Sequence, residues 1–107
     1  MIDNVDIKFG TSTPIVVNHP VEGMMQFRCY GKFSYKGVAG VPEELVRMHV
    51  VEVISTFVST HIVNYSVASF PSILVNSIPN IIIAINSRIK DLGAELTGLN
   101  IEALNKA

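Results

Sequence analysis

The most constraining feature is the alternation of side chains from Met24 to Lys36. Phe27, Cys29, Phe33 and Tyr35 fall on one face, with Gly31 between them. Gln26, Arg28, Lys32 and Ser34 fall on the other, joined by Tyr30. Period-two alternation over this length specifies a β-strand with one packed face and one wet face. A chain containing it must build a sheet and then cover one side of that sheet. A glycine inside such a strand marks a bulge or a close backbone neighbour, so Gly31 is expected to be one or the other.

The rest of the chain supplies strands to pair and helices to cover. Val5 to Phe9 reads as a short strand ended by Gly10, and Thr11-Ser12-Thr13-Pro14 carries turn chemistry. Ile15-Val16-Val17 is β-branched and reads as a second strand, ended by Asn18-His19-Pro20. After Gly37 and Gly40, Pro42-Glu43-Glu44 opens a helix, with proline in the first turn and two carboxylates near the positive end of the helix dipole. Leu45, Met48, Val51 and Phe57/Val58 mark its apolar stripe, widened by Val46, Val50, Val53 and Ile54. The helix is expected to end near Ile62–Tyr65. Ser66 to Asn76 reads as a connection with about one helical turn.

The last third reads as helix, stop and strand. Ser77 is a candidate cap and Pro79 suits a first turn. Ile78, Ile82, Ile85, Ile89 and Leu92 recur at helical spacing, against a competing reading of Asn80 to Ile85 as a buried strand. Arg88, Lys90 and the stop at Gly93 favour the helix. Thr97, Leu99, Ile101 and Ala103 then alternate with Gly98, Asn100 and Glu102, as a strand returning to the sheet. The expected fold class is α+β: one two-layer domain over residues 1–107, a mixed sheet of three to four strands with two helices on one face.

Composition narrows the function classes. The 107 residues suffice for one core and not two. With 49% hydrophobic and 16% charged residues the chain is not of the disordered type. A net charge of −1 without a cationic run gives no electrostatic footprint for nucleic acid. One cysteine excludes an internal disulfide and a cysteine-based zinc site, and slightly favours a reducing compartment. The start is acidic and strand-like rather than a signal peptide, and the longest apolar run, Ile81 to Ile85, is far short of a membrane span. From Val53 to Ser87 there is no Asp, Glu, Lys or Arg, which suggests surface buried against the sheet or another protein.

No residue set carries catalysis. His49 and His61, twelve positions apart on one helix, lie about 120° and 18 Å apart and cannot share a metal. His49 with Glu52 supplies two ligands, too few for a site. The three histidines, His19 included, are read as surface or helix-packing residues. Cys29 is expected as a buried, inert thiol with no base beside it. Glu43, Glu44, Glu52, Asp91, Glu95 and Glu102 read as solvated, and Gly10, Gly37 and Gly40 form no phosphate-cradling fingerprint. No catalytic, cofactor or metal residue is expected, and hence no enzyme.

Ile7 to Ile15 (IKFGTSTPI), Gly23 to Lys36 (GMMQFRCYGKFSYK) and the closing LGAELTGLNIEAL resemble the SPFH, or band 7, superfamily of stomatin, prohibitin and flotillin relatives. Among these, the bacterial virion-core-like SPFH proteins are the most similar. The resemblance implies a non-catalytic scaffold that forms homo-oligomers at the cytoplasmic face of a membrane, without cofactor or nucleic-acid partner. It also implies a domain excised from a longer protein, with membrane contact through flanking segments. The uncharged stretch Val53 to Ser87 departs from the family pattern and favours a self-association surface. The competing expectations are a small enzyme or small-ligand carrier that uses an apolar pocket between sheet and helices, which a deep pocket near Cys29 or His49 with convergent polar groups would favour, and a soluble adaptor that binds a partner by its sheet edge.

Overall fold

The computed structural model describes residues 2–107. Strand β1 spans Ile2–Gly10, β2 Ile15–His19 and β3 Gly23–Gly37. Helix α1 spans Glu43–His61 and runs on into a 3-10 turn at Ile62–Asn64. Helices α2 (Phe70–Asn76) and α3 (Ile78–Ile89) follow, then a 3-10 turn at Lys90–Leu92 and strand β4 (Ala94–Lys106). The expected α+β class is the observed one: a four-stranded sheet with helices over one face. The connection expected to hold one turn contains α2, which meets α3 at a bend of 58°.

Strand β3 is the spine. Fifteen residues at about 3.3 Å each give roughly 50 Å, which accounts for the 47 Å long axis of the molecule. β2 pairs with residues 23–27 and β1 with residues 30–37, so the two lie end to end along one side of β3. β4 lines the other side, from Phe27↔Lys106 to Gly37↔Ala94. All three pairings are antiparallel, which corrects the expectation of a mixed sheet. The helical excursion leaves the sheet at Gly37 and returns to the same end, where Val38 N–H bonds to Gly93 O (3.0 Å), so β4 has to run backwards along β3. Gly93 makes that return in the left-handed region (φ 81°), which a residue with a side chain adopts only at a cost.

The alternation of β3 holds over its length. Met25, Phe27, Cys29, Gly31, Phe33, Tyr35 and Gly37 are buried while their neighbours face out. Gly31 is both things its position suggested. The β3–β4 register slips between Tyr30 and Gly31, leaving Glu102 as an extra residue in β4. A Cβ on Gly31 would sit 3.0 Å from both Asn100 C and Ile101 Cα, and closer still to Asn100 O. A second slip leaves Thr97 extra, and in β1 Val5 and Asp6 face Ser34 alone, with Asp6 at φ 52°. Asp tolerates that conformation better than most residues, and here its N–H bonds to Ser34 Oγ (3.1 Å).

The helices bury slightly different lines from those expected. In α1 the buried residues are Val46, Val50, Val53, Ile54 and Val58, whereas Met48 is exposed and Leu45, Val51 and Phe57 are half-buried. In α3 the buried line is Ile81, Ile85 and Ile89, flanked by the half-buried Ile78, Ile82 and Leu92. Both stripes are rotated because each helix packs on the sheet and on the other helix at once. Ser77 stands at the start of α3 but gives its hydroxyl to Ile73 O (2.8 Å), closing α2 instead of capping α3.

Candidate functional site

Chemistry-bearing side chains are dispersed and mostly satisfied. Cys29 is fully buried on the packed face, and burial alone pushes its thiol up to about 11, so it stays protonated and inert at neutral pH. His19 is not a surface residue. It is buried at the end of β2, with Nε2–H donating to Tyr65 O (2.8 Å) and Nδ1 accepting from Val21 N–H (3.1 Å) and Glu22 N–H (3.2 Å). Two N–H donors on Nδ1 fix the proton at Nε2. The imidazole ties the β2–β3 turn to the end of the first helical segment, across 46 residues of sequence that gave no hint of the contact.

His49 and His61 are separated as helix geometry requires. His61 stacks on Phe57 (centroids 4.2 Å), while His49 Nδ1 is buried without a hydrogen-bond partner. Glu52, the second ligand weighed with His49, is engaged by Arg88 of α3 (2.9 Å). Glu43 and Glu44 both hold Arg47, and Glu95 and Glu102 lie near Lys36 (3.5 Å) and Lys32 (3.9 Å) on the open sheet face. Among the described residues no three His, Cys, Asp or Glu side chains converge as metal ligands. Arg28 reaches toward Thr11 O and Ser12 O (both 3.4 Å), so that loop carbonyls occupy it.

The Thr11 loop bridges β1 and β2 and keeps the ladder continuous. Thr11 N–H bonds to Cys29 O (3.0 Å), and Cys29 N–H bonds to Thr11 Oγ1 (3.1 Å) rather than to a backbone carbonyl. A buried hydroxyl here replaces one rung of the sheet, a role that turn chemistry alone did not reveal.

The largest of the four main cavities among the described residues, about 710 Å³, is a surface groove beneath the β2–β3 turn. Val21, Met25, Val63, Tyr65 and Val67 supply apolar walls, with Glu22 and Lys106 at the margin. A second cleft of about 390 Å³ runs between the Thr11 loop and the Glu52–Arg88 pair. Neither Cys29 nor His49 lines any of the four main cavities.

The other conspicuous surface belongs to the uncharged stretch. Its core-facing residues are consumed by packing, but Thr56, Thr60, Ser72, Val75, Asn76, Asn80, Ile83 and Ala84 face outward. Val75 is 51% exposed and Ile83 67%, an isoleucine standing in solvent between short polar neighbours. Among the described residues no single helix is long and apolar enough to cross a membrane. Compared with known proteins, no protein-family model, no curated protein and no solved structure matches the chain.

Proposed function

We propose that this domain is a non-catalytic scaffold that associates with further copies of itself through the outer face of α2 and α3. The observation that carries the reading is the exposure of Val75 and Ile83 within a stretch, Val53 to Ser87, that itself carries no formal charge. Solvated helix faces normally carry Lys, Glu or Arg, and charge is what is depleted at the centre of protein interfaces. Dispersed and mostly satisfied polar groups support the non-catalytic half of the reading: among the described residues nucleophile, base and oxyanion donors are not gathered. Weak contacts of this kind gain strength by repetition, as in a lattice of copies. Gathering at a membrane surface is the further part of the proposal, and it draws on the resemblance to SPFH domains.

Light scattering across a concentration series tests the self-association, with Val75→Glu, Ile83→Glu as the comparison. Both side chains are exposed, so the fold should survive, and the mean mass should fall toward the monomer. A parent protein that is monomeric at every concentration would sink the proposal. Co-sedimentation with anionic vesicles tests the membrane part separately.

The groove beneath the β2–β3 turn favours a second reading, an apolar-ligand carrier, because its volume lies within the range of small-molecule sites. Saturable, stoichiometric uptake of a fluorescent apolar probe, lost on filling the groove with Ala68→Trp, would support it over the scaffold.

A further inference from the structure

Long edge strands invite other strands to pair with them, and a 13-residue β4 is a long edge. In this fold the border strands are all interrupted or short. β4 carries extra residues at Thr97 and Glu102, so its uninterrupted stretches are brief. β1 is broken at Val5–Asp6, where Asp6 turns into the left-handed region, and β2 has only five residues. On both sides a helix side chain also takes up an edge backbone group. Asn86 of α3 accepts the Leu96 N–H of β4 through Oδ1 (2.7 Å). Arg47 of α1 donates from Nε to the Lys8 O of β1 (3.0 Å), held in place by Glu43 and Glu44.

We infer that Asn86 and Arg47 are edge guards: with the strand bulges they close the sheet to strand addition by another copy of this chain. The two guards come from different helices, act on opposite edges and take opposite groups, one an N–H and the other a carbonyl. The same outcome reached by unlike means argues for edge closure over incidental contact. Gly31 belongs to the same device, because the bulge at Glu102 brings the Asn100 carbonyl against it. Self-association is thereby confined to surfaces other than the sheet edges.

The test uses an Ile83→Glu background, so that association through the helical face is separated from association through an edge. Asn86→Ala in that background should shift the sedimentation mass upward with concentration. The Leu96 amide should exchange fast when the protein is dilute and regain protection as the mass rises, while the Phe33 amide stays protected throughout. Arg47→Ala should raise the mass in the same way through the other edge. Asn86→Asp, which keeps an acceptor for Leu96 N–H, should not. Val50→Ala, a core truncation away from both edges, controls for association that follows mere destabilisation. The inference is overturned if Asn86→Ala keeps the background mass and a fast Leu96 amide at every concentration. It is equally overturned if Val50→Ala associates as readily. If Ile83→Glu alone leaves the parent's mass unchanged, the proposed helical interface fails while the edge result still stands or falls by itself.

Discussion

Gly31 and Gly98 allow the same substitution to be made on two neighbouring strands with opposite expected signs. An alanine Cβ at position 31 would lie 3.0 Å from Asn100 C and Ile101 Cα, and closer to Asn100 O. Carbon and carbonyl oxygen ordinarily approach to about 3.3 Å, so β3 and β4 would have to part locally by about 1 Å. The obstruction is backbone, which cannot rotate aside as a flexible side chain could. Overpacking of this kind costs about 1–3 kcal/mol, and each ladder hydrogen bond lost with it about 0.5–1.5 kcal/mol more. The reduced freedom of the unfolded chain returns only about 0.4–1 kcal/mol. Gly31→Ala is therefore expected to destabilise by about 2 kcal/mol, within a span of roughly 0.5–4 kcal/mol. At Gly98 the nearest atom is Ser34 Cβ at 3.9 Å, and the backbone is outside the left-handed region, so only the favourable part applies. Gly98→Ala should stabilise by about 0.4–1 kcal/mol. Urea unfolding followed by circular dichroism measures both, with an unchanged m-value showing that the denatured state is comparable. Thermal midpoints should separate by about 10 °C or more, since each kcal/mol is worth about 4 °C in a domain of this size. A Gly31→Ala protein within about 0.5 kcal/mol of the parent would refute the bulge argument, that margin being the usual range of neutral surface changes. So would a Gly98→Ala protein as unstable as Gly31→Ala.

Two further outcomes follow from the packed face of β3. Thr11→Val keeps shape but leaves the buried Cys29 N–H without its acceptor, and should cost about 1–3 kcal/mol; Thr11→Ser, which restores the acceptor, should recover most of it in the same unfolding assay. The Cys29 thiol is raised from 9.0 to about 11 by burial, so the folded state holds its proton where the unfolded state releases it. Stability from this group is fully present below pH 9 and falls between pH 9 and about 11, by roughly 3 kcal/mol in total. Cys29→Ala should lose that alkaline slope, and an unchanged slope would refute the assignment.

Much of the fold was written in local pattern. The β3 alternation is obeyed residue by residue because each buried side chain is opposite a wet one, and a slip by one would expose the whole set. Gly93 was legible as a stop because few residues other than glycine take the left-handed turn that ends the helix. The stripes of α1 and α3 were legible as helical but not in their rotation. A helix that leans on two neighbours buries the line between them, and the second neighbour is not in its own sequence.

The site-level reading depended still more on distance in space. His19 looked like a turn residue; its ring is held by Tyr65, Val21 and Glu22, and only the folded chain places Tyr65 there. Asn86 carried no local signal, and is an edge contact because α3 lies along β4. The direction of β4, and so the antiparallel sheet, was decided by where the helices hand the chain back. The sequence by itself determined the four strands and the two longer helices, though not α2, as well as which strand face is packed and that the stretch from Val53 to Ser87 carries no formal charge. Tertiary structure alone decided which part of that stretch stays outside. Burial is a property of neighbours: Ile81, Ile85 and Ile89 found the core, whereas Ile83, about 200° around the same helix from Ile81, did not.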